Sequence, residues 1–178
     1  RCYMYKEIPK NIKELRKIEY GDNQILQLIQ KDLLNEFIIY VNKTNFNLNN
    51  TIKSSLFETN YYLYGENSLI EYAAFFGSIK IFKYLITQDC IVDPKLMKYA
   101  IHGRNPEIIH FINDNTDIDE KTYKECLKIS IKCHHNELTT FILNKYFENK
   151  DISSYVLKHS LKSHNFSLIQ NYHHQQLF

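Results

Sequence analysis

The stretch LIEYAAFFGSIKIFKYLI, residues 69–86, returns 27 residues later as LMKYAIHGRNPEIIHFIN. A phrase that repeats at this distance is one structural unit used more than once, and such a unit cannot bury its apolar face alone. Copies have to stack, which constrains the whole chain. In the first copy Ser68 stands as an N-cap, Leu69, Ile70, Ala73 and Ala74 recur at helical spacing, and Gly77-Ser78 break the helix. Ile79, Phe82, Leu85 and Ile86 then supply one face of a second helix. The second copy aligns position by position, with Tyr99-Ala100 on Tyr72-Ala73. Its Pro106 falls in the first turn of the second helix, where a missing N–H does no harm.

Two degenerate copies follow at a spacing of 30 residues, and in them Ser130 and Ser160 hold the small position that Ala73 and Ala100 hold earlier. A weaker copy precedes, with Ile25, Leu28 and Ile29 before the Lys31-Asp32 turn and Leu34, Phe37 and Ile38 after it. The reading is all-α: a solenoid of stacked helical hairpins in about five units, at 23–42, 68–88, 95–114, 122–146 and 152–173, within an array from 23 to 178. Residues 1–22 carry Ile8, Ile12, Leu15 and Ile18 at helical spacing and are expected to form an N-terminal capping segment. Between 44 and 67 the pattern lapses into an Asn-rich, Tyr-rich insertion. It is long for a connection, and its aromatics favour packing on the array, as a lid, over a free binding loop.

Composition narrows the function classes. Lys plus Arg total 22 against 20 Asp plus Glu, and only Arg1, Arg16 and Arg104 are arginine, which weighs against an electrostatic nucleic-acid binder. With four Gly and three Pro the chain lacks the turn stock of an all-β fold. No apolar run is long enough to span a bilayer, and no signal peptide is visible. Cys2, Cys90, Cys126 and Cys133 show no paired spacing and read as reduced thiols, so a cytoplasmic location is expected.

Eight histidines invite a metal or catalytic reading, and Cys126, Cys133, His134 and His135 lie close in sequence. Cys126 and Cys133 are two helical turns apart on one face, a packing pattern, where zinc sites show tight ligand pairs. A nucleophile needs a base placed in space and an orienting third group, which adjacency of Cys133 and His134 does not supply. Asp117, Asp119 and Glu120 read as a solvated turn that caps the next helix. No metal, no cofactor and no catalytic residue is expected.

The phrase around Ala73, Ala74 and Gly77 resembles the ankyrin-repeat core, in which a helix ending in paired alanines is followed by Gly, a turn and an apolar second helix. Within that superfamily it is most similar to the divergent ankyrin proteins of parasitic protists, whose uncharacterised domain has a comparable order of segments. The usual Thr-Pro-Leu-His opening is absent, and the period of 27 to 30 is shorter than the typical 33 or so. The resemblance implies a concave face made by the first helices of the hairpins. Its exposed edge would include Tyr72, Phe75, Phe76, Tyr99, His102, Lys132, His159 and Lys162. For Tyr72, Phe76 and Tyr99 the alternative is a place in the core.

The expected function is a non-catalytic protein–protein interaction module, a monomer that presents this face to a protein or peptide partner, without a membrane. The alternative is a structural or tethering segment of a longer repeat protein.

Overall fold

The computed structural model describes residues 24–54, 60–148 and 150–170. The expected capping segment 1–22 lies outside them, as do residues 171–178 of the last unit. The described residues are predominantly helical. Helices α1 (Gln24–Gln30) and α2 (Leu34–Thr44) form a first hairpin. Then come α3 (Leu69–Phe76) with α4 (Ile79–Thr87), and α5 (Leu96–Gly103) with α6 (Pro106–Asn115). Helices α7 (Glu120–Lys132) and α8 (Asn136–Tyr146) form a fourth pair, and α9 (Ser153–Lys162) is followed by helical residues 166–170. First helices pack in chain order, α1 on α3, α3 on α5, α5 on α7 and α7 on α9, while α2 packs on α4 and α4 on α6. Among the described residues no helix is long and apolar enough to cross a membrane.

The hairpin turns share one geometry. Asp32, Gly77, Arg104, His134 and His164 each take a left-handed backbone, with φ between 51° and 70°. In four of them the residue after the turn closes a six-residue bond to the end of the first helix: Leu33 to Leu28, Ser78 to Ala73, His135 to Ser130, and Asn165 to Ser160. In every turn but the first, the next side chain then braces the preceding hairpin. Ser78 Oγ donates to the Ile29 carbonyl at 2.5 Å, Asn105 Nδ2 to Gly77 at 3.1 Å and Asn165 Nδ2 to Ile131 at 3.0 Å. His135 does the same through Nδ1, 3.1 Å from the Ile101 carbonyl. Because Ser78 is used this way it does not cap α4. Asp32 of the first hairpin does so across the stack, accepting from the Lys80 and Ile81 backbone N–H groups.

Small residues set how closely the first helices approach. Ala73, Ala100, Ser130 and Ser160 are all buried. At Gly103 a Cβ would lie 2.2 Å from the Ala74 carbonyl oxygen, so glycine alone permits the α3–α5 contact. The stripes that alternate with these positions fill the core with Phe37, Phe82, Leu69, Leu85, Ile108, Ile112 and Leu127, each nearly free of solvent. Each such side chain contributes roughly 1.5–3 kcal/mol.

Residues 44–67 depart from an all-helical reading. Strands β1 (Thr51–Lys53) and β2 (Glu66–Ser68) pair antiparallel, with Ile52 opposite Asn67, and a 3-10 turn (Tyr61–Leu63) lies between them. Each strand shows one inward residue between two outward ones, too short an alternation to stand out in a sequence. Ile52, Leu63 and Asn67 are buried, and Phe46, Leu48 and Tyr62 pack on the core, so the described part of the insertion lies on the array.

Candidate protein-binding surface

The outward stripe of the first helices is built by repetition. With the small residues aligned, Phe75, His102, Lys132 and Lys162 occupy one register position, and Glu71, Lys98, Lys128 and Lys158 another. Because the first helices stack side by side, each register position becomes a row across the surface. These rows contain four of the eight residues expected at a binding face.

Tyr72 is not on that surface. Its side chain is 2% exposed and its ring stacks on Phe76 at 6.5 Å, so it belongs to the core. The reason is local: α3 is apolar nearly all round, and the residues beside Ala73-Ala74 turn inward where helices approach most closely. Phe75 is half-buried, edge-on to Phe76 and 5.0 Å from the His102 ring. Tyr99 is half-buried too, and its hydroxyl donates to Asn67 Oδ1 at 3.0 Å. Asn67 Nδ2 donates in turn to the Leu63 carbonyl at 2.9 Å. Tyr99 is thereby an anchor for the insertion.

His102 lies under the same cover. Tyr62 of the 3-10 turn sits 4.7 Å from its ring, with Phe75 on another side. Its Nδ1 is 3.6 Å from Cys133 Sγ, and its Nε2 is buried without a hydrogen-bond partner among the described residues. Burial, then the nearby His135 and Lys132, lower its pKa to about 4, so the ring is neutral at pH 7. Burial raises the Cys133 thiol above its ordinary value. A cysteine nucleophile needs the opposite pair, a thiolate beside an imidazolium. Cys126 is fully buried and burial pushes its thiol up to about 12. Among the described residues no group of three His, Cys, Asp or Glu is placed to hold a metal ion.

Lys132, His159 and Lys162 have a different setting. Lys132 and Lys162 are exposed, and no ion pair engages either among the described residues. His159 lies on the Tyr155 ring at 4.3 Å, and the Tyr155 hydroxyl donates to the Lys124 carbonyl at 3.0 Å, which ties α9 to α7. Burial lowers the His159 pKa, and Lys128, Lys158 and Lys162 lower it further. Those three lysines therefore act on the imidazole with the same sign. Lys128 and Lys158 are the residues that the sequence reading missed. Their spacing of 30, in register with Ser130 and Ser160, was the signal that could have found them.

Carboxylates on this side are committed. Glu125 meets Lys98 at 2.8 Å, and Glu120 meets both Lys124 and Lys150. Those contacts hold the Glu120 pKa near 2, well below the usual carboxylate range.

No curated protein and no solved structure matches the chain. A family described as a domain of unknown function, DUF3447, matches residues 82–172. The match begins inside α4 and takes in the hairpins from α5 onward, leaving out the insertion and α3. Covering just over half of the sequence, it shows that the chain belongs to the DUF3447 family.

Proposed function

We propose that this chain is a non-catalytic protein-interaction module, an ankyrin-like solenoid of five hairpins that presents the outward stripe of its first helices to a partner protein. The observation that carries the reading is the exposed pair Lys132 and Lys162, engaged in no ion pair among the described residues and held on helices whose turns are braced hairpin to hairpin. A surface on such a scaffold loses little freedom on binding, which favours recognition. The shared left-handed turns and the chain-order packing of first helices support the repeat reading. The neutral Cys133–His102 pair supports a role without nucleophilic chemistry.

The test is affinity capture from native lysate with the whole chain and with Lys132→Ala/Lys162→Ala. A partner retained by the parent and lost by the variant, at an unchanged melting midpoint, supports the module. Equal capture by both overturns this surface. A second reading, a structural or tethering stretch of a longer array, draws on Leu157, Leu161 and Phe166, apolar residues that are exposed among the described residues at the α9 end. Concentration-dependent self-association, abolished by Leu161→Lys, would favour it over a monomeric module.

A further inference from the structure

The cationic residues of α7 and α9 are more than scattered surface lysines. Lys128 and Lys132 are one helical turn apart on α7, and Lys158 and Lys162 are one turn apart on α9. The helices pack side by side, so the two pairs stand on adjacent helices, with the Tyr155–His159 ring pair also on α9. Lys121 continues the α7 stripe by two further turns. Helix α9 contains no acidic residue, and the carboxylate on the α7 stripe, Glu125, is already held by Lys98. Like charges this close repel one another, a cost that an anionic ligand relieves. Over the whole chain positive and negative charges nearly balance, with a formal net charge of +2, so the patch is a local segregation of charge.

We infer that the α7–α9 face docks an extended acidic segment of a partner protein, with Lys128, Lys132, Lys158 and Lys162 straddling it and the Tyr155–His159 pair as its floor. The inference rests on the interaction-module reading and names the partner's chemistry. Two rows of ammonium groups on adjacent helices suit a chain of Asp and Glu side chains. Lysine is a mobile point charge that accepts carboxylates at varied angles. Phosphodiester recognition generally draws on arginine forks, and Arg104, the arginine among the described residues, sits in the α5–α6 turn and on neither α7 nor α9. Tyr155 and His159 offer half-buried ring area on which the apolar stems of such a segment can lie.

Fluorescence anisotropy on the whole chain tests this with three labelled probes: a ten-residue peptide rich in Asp and Glu, its Asn/Gln counterpart, and oligothymidylate of equal length. The acidic peptide is expected to bind with an affinity that falls as salt rises, and the neutral counterpart not to bind. Lys128→Glu/Lys162→Glu should weaken the acidic peptide at least tenfold, and Lys43→Glu/Lys80→Glu on the second helices should not. Lys128→Gln/Lys162→Gln gives the same comparison by neutralisation if charge reversal unfolds the protein. No binding of the acidic peptide, or equal binding by the α7–α9 variants, overturns the inference. Tighter binding of oligothymidylate overturns the choice of a polypeptide. A captured partner that the acidic peptide fails to displace overturns this inference alone and leaves the module standing.

Discussion

The outward face of the first helices has two halves that differ in what covers them. Over α3 and α5 the protein covers its own surface: Tyr62 lies on His102, and Asn67 ties β2 to Tyr99. At Lys132 and Lys162, on α7 and α9, the same register position carries an exposed lysine. The aligned sites Phe75 and His102 are apolar or neutral where an insertion packs on them, and Lys132 and Lys162 are charged where water meets them. One repeat position therefore serves two ends. Covered, it must shed charge, because an ammonium group under an aromatic lid would be desolvated without a counter-ion. Bare, it is free to carry charge and to meet a partner.

The sharpest way to break the covered half is at its closest approach. Gly103→Ala forces a Cβ onto the Ala74 carbonyl and should cost about 3 kcal/mol or more by thermal or urea unfolding. A neutral result would mean that α3 and α5 separate without penalty. Next is the tie between insertion and array. Asn67→Ala removes a buried side chain that bonds both Leu63 and Tyr99, for an expected loss of about 1–3 kcal/mol. Amide exchange should then accelerate across residues 60–68 and stay unchanged in α7 and α9. Equal acceleration in both halves would deny their independence.

The pH response separates the halves further. The unfolded chain protonates His102 near its ordinary 6.5, and the folded chain only near 4. Stability from this group is fully present above pH 6.5 and is lost progressively as pH falls towards 4, by about 1–2 kcal/mol once the ring's partial exposure is discounted. His135, lowered by burial and Arg104, and His159, lowered by burial and three lysines, act with the same sign. His102→Phe should flatten the fall in melting midpoint over that range without abolishing it. An unaltered pH profile would place His102 in solvent. The smallest effect belongs to the bare half: Lys132→Ala or Lys162→Ala should change stability by less than about 0.5 kcal/mol, measured by the same unfolding. A larger loss would make these lysines structural.

Much of the scaffold was legible along the chain. The break at Gly77, the caps at Ser68 and Asp119, Pro106 at the first helical position and the small residues all follow from local propensity and from the repeat. The proposed binding face was legible in part. Lys132, His159 and Lys162 stand on it, whereas Tyr72 does not, because helical spacing alone does not say which of two adjacent apolar positions a neighbour will bury. Tyr62 and Asn67 had no periodic signal at all. Their importance lies in contacts with His102 and Tyr99, more than 30 residues away, and no local pattern encodes them.

The recurrence of LIEYAAFF-type segments by itself determined that the chain makes helical hairpins with small residues at one recurring position, since periodicity and turn chemistry act over a few residues. Only the tertiary structure decided which hairpins keep an open face. The described part of the insertion settles by long-range packing, with Tyr62 on His102 and Asn67 bonded to Tyr99. Solvent access is a property of what lies above a surface, and that depends on parts of the chain far from it.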